Sequence, residues 1–267
     1  MDLPPATKAD NFRLTRKPET GSTNDDAVAA ARAGDPGRHW FVSDLQRAGR
    51  GRQGRPWSSP PGNLHASLLL VDPCEPAVAP GLGFLAGVAL HEAAARATGL
   101  APPRLALKWP NDLLLDGAKA SGMLLEGHRL GPGGPFAVVI GFGVNVAHAP
   151  DGTPYPTRAL RSAAPSLERE ALFAHLAAAV AERLSAWAAS GDPDPFPSVR
   201  HAWLDRASGL GGPVTARLPS GERRGVFKGL DRFGRLELQT ESGLERIDAG
   251  DIYPLSPAIP PHAHPSR

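Results

Sequence analysis

Three short segments carry side chains suited to holding a phosphorylated ligand. The first is Gly49-Arg50-Gly51-Arg52-Gln53-Gly54-Arg55, in which guanidinium groups alternate with small residues. A guanidinium donates two parallel hydrogen bonds to a phosphate, and glycine lets the backbone approach a ligand closely. Clustered like charges repel, so the loop is expected to move until an anion neutralises it. Trp57 follows at once and can serve as an apolar lid or stacking face. Alone, the string also reads as an RNA-binding arginine–glycine segment with its aromatic, although it is a single copy in a chain of net charge +2. It is no P-loop, because the Lys-Ser/Thr ending is missing.

The second segment is Lys108-Trp109-Pro110-Asn111-Asp112, followed by Lys119 and Gly122. A lysine, an amide and a carboxylate at a proline-broken strand edge suit a nucleotide and its Mg²⁺, which commonly takes only one or two protein ligands. Equally, Asn111 and Asp112 form a tight turn by bonding their own backbone. The third segment is Ile140-Gly141-Phe142-Gly143-Val144-Asn145. Its glycines either let a ligand ring lie on a strand, with Asn145 meeting a base edge, or relieve a buried strand.

Hydrophobic periodicity supplies the elements that must hold these segments. A strand is predicted over Phe12–Lys17, then a helix capped by Ser22 or Thr23 and stopped by Gly34. His39–Ser43 is a short strand, and Leu45–Gly62 a loop long enough to be functional or disordered. Asn63–Val71 is a strand, and Leu82–Thr98 a helix with Gly99 as its stop. Short strands at Leu105–Trp109 and Leu113–Leu115 lead through an Asp116-Gly117 hairpin to Ser121–Glu126. A buried strand over Phe136–Val146 follows. A second long helix runs from Leu167 to Ala189 with Ser166 as cap, and a shorter one over Ser198–Ala207. Beyond Gly211-Gly212, strands at Val214–Leu218, Arg224–Leu230, Leu236–Thr240 and Leu244–Ile247 indicate a small β-barrel or sandwich. The class is therefore α+β, with one domain over 1–208 and a small β-domain over 209–255. The Pro- and His-rich tail 256–267 is expected to be disordered.

Composition narrows the setting. Hydrophobic residues make up 41% and charged residues 21%, ordinary for a globular protein. A net charge of +2 argues against a DNA or membrane partner recognised by bulk electrostatics. The single cysteine, Cys74, permits no intrachain disulfide, which fits a reducing compartment. Met1–Asn11 has no apolar run of signal-peptide type, and Phe136–Val146 is too short to span a bilayer. The expected location is the cytoplasm.

Several motifs in one order resemble the biotin protein ligase (biotin–acetyl-CoA-carboxylase ligase) family. They are Ser22-Thr23-Asn24, Gln46 with the Gly49–Arg55 loop, Trp57-Ser58-Ser59-Pro60, and Gly62-Asn63-Leu64. Lys108–Asp112, Lys119-x-x-Gly122 and Gly141-x-Gly143-x-Asn145 continue the series. The resemblance implies a class II synthetase-like catalytic domain with a mixed sheet, followed by a small SH3-like barrel. It implies that ATP activates biotin to biotinyl-5′-AMP, and that biotin then passes to a lysine of a biotin carboxyl carrier protein. By the same match Lys119, Arg52 and Asp112 would be catalytic. Ser22, Thr23, Asn24, Gln46, Gly49, Arg50, Gly51, Arg52, Lys119 and Gly122 would take biotin. Arg52, Arg55, Trp57, Lys108, Asn111 and Asn145 would take ATP, with Asn111 and Asp112 at Mg²⁺.

Three positions depart from the family's pattern. Gln53 stands where a further basic residue is common, Arg47 where a small polar one is usual, and His65 where an aromatic is usual. His65 is expected to fill the aromatic slot rather than to catalyse. About twenty residues precede Ser22, too few for a helix-turn-helix domain with its own core, so a repressor role is disfavoured. Lipoate–protein ligases share the fold and the adenylation logic, and a non-catalytic binding module is the remaining alternative. A monomer or a homodimer fits equally.

Overall fold

A seven-stranded mixed sheet and a five-stranded antiparallel sheet share one hydrophobic core. The structure, a computed structural model, describes residues 1–254 except 192–194, 219 and 249. The expected tail 256–267 lies outside the described residues. Chain order is α1 (Pro5–Ala9), β1 (Arg13–Thr20), α2 (Thr23–Arg32), β2 (His39–Gln46), β3 (Leu64–Val71) and α3 (Gly81–Thr98). Then come β4 (Leu105–Lys108), β5 (Asp112–Leu115), β6 (Ala118–Arg129), β7 (Phe136–Val144), α4 (Arg169–Ala189) and α5 (Phe196–Leu204). The smaller sheet is built from β8 (Pro213–Leu218), β9 (Gly221–Leu230), β10 (Leu236–Thr240), β11 (Gly243–Ile247) and β12 (Asp251–Pro254).

The large sheet runs β1-β2-β3-β7-β6-β5-β4, with β1 and β2 parallel and the other neighbours antiparallel. Strand alternation sorts its two faces. From β3, Leu64, Ala66, Leu68 and Leu70 join the core beneath α3 and α4, while Leu69 packs with Ala27, Val28 and Ala31 of α2 on the other face. Helix α2 is only 10 residues long, so it covers Ala137 and Val139 of β7 and stops short of Gly141 and Gly143. That uncovered end of the sheet becomes the floor of a cleft.

Several predicted boundaries shift for identifiable reasons. Strand β2 continues to Gln46 because β1 pairs with it as far as Thr20, so the loop begins only at Arg47. Ser22 occupies the N-cap position of α2 but makes no side-chain capping bond; the Thr23 N–H goes to Gln46 Oε1 instead, 2.8 Å away. Helix α4 starts at Arg169 with Glu168 at its cap, not Ser166, since Leu167 is tied back to Ala164 and to the Arg161 guanidinium. Helix α5 begins at Phe196, with a proline in its first turn. The Asp116-Gly117 turn has both residues at positive φ, 48° and 78°, as a two-residue hairpin of that handedness requires. Neither α1 nor β12 is foreseen from the sequence.

The small sheet runs β11-β10-β9-β8-β12 and is wholly antiparallel. Its Phe227, Leu230 and Leu236 join the same core as Trp203 and Phe84. Trp109, 1% exposed, donates its indole N–H to Gly234 O at 3.0 Å. Gly234 has φ 77°, and a Cβ there would sit 2.5 Å from Phe84 Cε2. Glycine is thus required twice over at the seam. Among the described residues, no helix is long and apolar enough to cross a membrane.

Candidate active site

The floor of the cleft is made by glycines, and of the two sequence readings the packing favours relief of a crowded strand. A Cβ at Gly141 would collide with Asn24 Oδ1, and one at Gly143 with the Trp57 indole. At Gly122 it would lie 3.2 Å from Trp57 Cζ3. The ring laid against these strands is therefore Trp57 itself, and the expected ligand contact at Gly141 is taken by Asn24. Above them the arginine loop closes as a small hairpin, with Trp57 N–H donating to Gly49 O at 2.9 Å and Gly51 N–H to Arg55 O at 2.7 Å. Gln53 and Gly54, at φ 57° and 69°, turn its tip. A side chain at Gly49 would press on Ser59 Oγ at 2.8 Å, so Gly49 is where the loop crosses the strand end at Gln46.

One end of the cleft is a web of neutral polar groups. Thr23 and Asn24, both buried in the first turn of α2, meet Ser67 of β3 at 2.7 and 2.6 Å. Gln46 Oε1 also lies 3.0 Å from Thr23 Oγ1, and its Nε2 donates to Ser59 Oγ at 3.0 Å. Asn24 Nδ2 donates to Glu126 Oε2 at 2.6 Å. Glu126 also pairs with Arg50 at 3.2 Å, and Asp25 pairs with the same guanidinium at 2.7 Å. Arg50, one of the three cations expected to await an anion, is neutralised by the protein's own carboxylates.

The other end is charged. Asp112, with a side chain 4% exposed, is held by Lys108 at 2.8 Å and Lys119 at 2.8 Å. Cross-strand pairing sets Lys108 opposite Asp112 and Asp112 opposite Gly122. Lys119 is an odd number of residues from Gly122, and regular alternation would turn it to the far face. A bulge between Ser121 and Lys119 restores it to the face of Asp112, with Lys119 opposite Leu114. The Lys119 ammonium lies 5.6 Å from the Trp57 ring centre and 5.3 Å from that of Tyr155. Lys108 lies 5.0 Å from the ring of Tyr253 in the small sheet.

Arg52 reaches Asn111 Oδ1 at 3.5 Å, in the turn between β4 and β5, and Gly250 O at 3.4 Å, just before β12. Arg55 bonds Gln53 Oε1 at 2.9 Å. Asn111 Nδ2 donates to Met123 O at 2.5 Å, fixing its oxygen toward Arg52. The donors expected for Mg²⁺ thus face cations: each Asp112 oxygen an ammonium, and Asn111 Oδ1 a guanidinium. This set does not fit a directly bound divalent cation, and among the described residues no group of three or more His, Cys, Asp or Glu is placed to hold one.

The structure brings Ser22, Thr23, Asn24, Gln46, Arg50, Gly51, Arg52, Arg55, Trp57, Asn111, Lys119 and Gly122 to one cleft. Lys108 and Asp112 stand behind its wall, and Gly49 supports the loop from beneath. Asn145 lies in an adjoining hollow with Trp57, Lys119, Tyr155 and Thr157; its Oδ1 is buried without a hydrogen-bond partner among the described residues. His65 is buried in β3 outside the cleft, with Nε2 3.3 Å from Pro60 O. Burial lowers its pKa to about 4. Sequence reasoning misses Asp25, Ser59, Ser67, Glu126 and Tyr155. Only Ser59, inside the Trp57-x-Ser-Pro motif, carried a local signal.

Comparison with known proteins accounts for this arrangement. The biotin/lipoate A/B protein ligase family pattern matches residues 23–145, and the biotin protein ligase C terminal domain matches residues 209–253. The chain is 40% identical to the biotin–[acetyl-CoA-carboxylase] ligase of Paracoccus denitrificans, over 88% of this chain and 97% of that one. It is 32% identical to the Mycobacterium tuberculosis enzyme of the same name, over 89% and 87% of the two chains. The biotin protein ligase of Aquifex aeolicus, solved in complex with biotin and ATP, superposes with a TM-score of 0.75 at 25% identity, covering 90% of this chain and 97% of that one. With both patterns present in order and identity sustained along nearly the whole Paracoccus relative, the chain belongs to the biotin/lipoate A/B protein ligase family.

Proposed function

We infer that this chain is a biotin–[acetyl-CoA-carboxylase] ligase. It joins biotin to AMP and then transfers the biotinyl group to a lysine of a biotin carboxyl carrier protein. The observation that carries the reading is the position of Lys119, between a buried carboxylate and the indole of Trp57, across from a neutral web of donors and acceptors. The neutral end suits a cyclic urea, and the charged end a carboxylate meeting a phosphate.

In the first step a carboxylate oxygen of biotin attacks the α-phosphorus of ATP and pyrophosphate leaves. Two anions must approach, so cations have to stand where charge develops. Lys119 fills that role, with Asp112 as the positioning residue that aims its ammonium. Arg52 and Arg55 hold the adenylate and phosphates, Asn145 meets adenine, and Trp57 shields the mixed anhydride from water. Lys108 completes the ion-paired wall. Mg²⁺ is assigned to the nucleotide's own phosphates, because Asn111 and Asp112 already face cations. In the second step the carrier's lysine nitrogen attacks the acyl carbon and AMP departs.

Residues 1–208 form the catalytic unit in this reading, and 209–255 the accessory β-unit. The reaction is placed in the cytoplasm, where its ATP is available, with neither DNA nor a membrane as partner. The test is incubation with biotin, ATP, Mg²⁺ and an apo carrier domain. Biotinylated carrier and stoichiometric pyrophosphate are expected. Pyrophosphate release with lipoate but not with biotin would replace this reading with lipoate ligation.

A further inference from the structure

At the neutral end of the cleft one carboxylate fixes the sense of the hydrogen bonds nearest to it. Glu126 can only accept, so the Asn24 amide must turn its NH₂ toward Oε2, 2.6 Å away. Asn24 Oδ1 then faces Ser67 Oγ at 2.6 Å and must receive the Ser67 proton. Thr23 Oγ1 lies 2.7 Å from Ser67 Oγ and donates its own proton to Gln46 Oε1 at 3.0 Å. Gln46 is oriented separately, since the Thr23 backbone N–H serves its Oε1 at 2.8 Å and leaves its NH₂ for Ser59 Oγ at 3.0 Å. Ser59 in turn donates to Trp57 O at 3.3 Å.

We propose that Glu126 is a positioning and specificity residue for the ureido ring of biotin, setting the donor–acceptor sense of Asn24 and Ser67. The proposal rests on the biotin-ligase reading above. A cyclic urea presents one carbonyl acceptor flanked by two N–H donors, so a pocket of amides and hydroxyls recognises it only when each group is held in one sense. Amides and hydroxyls alone have no fixed sense, since each can donate or accept. A carboxylate removes that degeneracy. The same Glu126 oxygens grip Arg50 at 3.2 and 3.3 Å, so one residue orders the pocket wall and ties down the loop stem. Gly141 is the complement on β7, leaving room for Asn24 to reach across the sheet.

Three substitutions in the full chain separate the two effects. Glu126→Gln keeps size but can donate as well as accept. It should weaken biotin binding by calorimetry about tenfold or more, as expected when a buried polar partner is mismatched. Its kcat at saturating biotin and its KM for ATP should stay within about twofold of the unaltered chain. Ser67→Ala breaks the chain without touching Arg50 and should give the same pattern. Asp25→Asn removes only the exposed partner of Arg50 and should weaken binding far less. In Glu126→Gln the preference for biotin over lipoate should narrow, because lipoate has no urea to sense the order. Unchanged biotin affinity in both Glu126→Gln and Ser67→Ala would overturn the proposal, as would an Asp25→Asn loss equal to that of Glu126→Gln. No binding of biotin by the unaltered chain would instead overturn the ligase reading, and this proposal with it.

Discussion

The two ends of the cleft use a carboxylate in opposite ways. At the charged end Asp112 is nearly sealed from solvent and shared by two ammonium groups, so it fixes cations in space. At the neutral end Glu126 has a side chain 23% exposed, pairs with one guanidinium, and orients dipoles that carry no charge. The difference matches two recognition problems. Charge that develops during a reaction calls for preorganised charge, whereas a neutral ring calls for directionality. A buried ion pair is also intolerant of losing one member, while a partly buried carboxylate can be replaced by an amide with little loss of fold.

Substitutions at the charged end test the contrast most severely. Lys119→Ala should lower the rate of adenylate formation at least about a thousandfold, read as pyrophosphate release, in line with the removal of a group that stabilises developing charge. An unchanged rate would remove Lys119 from the mechanism. Asp112→Ala should destabilise the fold by about 3–5 kcal/mol in denaturant unfolding, because it removes the buried carboxylate that the Lys108 and Lys119 ammonium groups share. A stability equal to that of Glu126→Gln would erase the distinction between the two ends. Arg52→Gly should release biotinyl adenylate and label bystander lysines, detected by blotting; tight retention would argue against its holding role.

The smallest effect concerns acid. Burial holds the folded pKa of His65 at about 4, below its ordinary 6.5. The unfolded chain therefore takes up this proton first, and stability falls as pH drops from 6.5 toward 4, by at most about 1.4 kcal/mol per unit. His65→Phe should flatten that part of the profile in thermal melts between those pH values. An unaltered slope would mean that His65 is already charged in the folded state. Because the residue lies outside the cleft, biotin affinity at neutral pH should stay nearly constant.

Sequence patterns carried the binding motifs further than they carried the contacts among them. Gly-rich spacing and the Lys108–Asp112 string marked residues that do converge, and the Asp116-Gly117 turn behaved as its chemistry required. The pair Asn24–Glu126 is separated by 102 positions, and a lone acid near the end of a strand has no local signature. Ser67 was equally silent, as a small polar residue in an apolar strand. Tyr155 sits in a proline-broken connection without periodicity. The role of Gly141 and Gly143 stayed open for a related reason: the sequence shows that space is needed, and only the packing shows what fills it. The seam with the small sheet hid in the same way, since Trp109 finds Gly234 at a separation of 125.

That packing makes positions 143 and 57 two halves of one volume, and likewise 141 and 24. A methyl group added at Gly143 has room only if the indole is pared back, so change at either site should follow change at the other. In a mutational library of this chain, Gly143→Ala should be depleted beside tryptophan at 57 and recover beside a smaller ring. The strand surface would then report, through which pairs survive selection, the thickness of the space available for ligand and lid together.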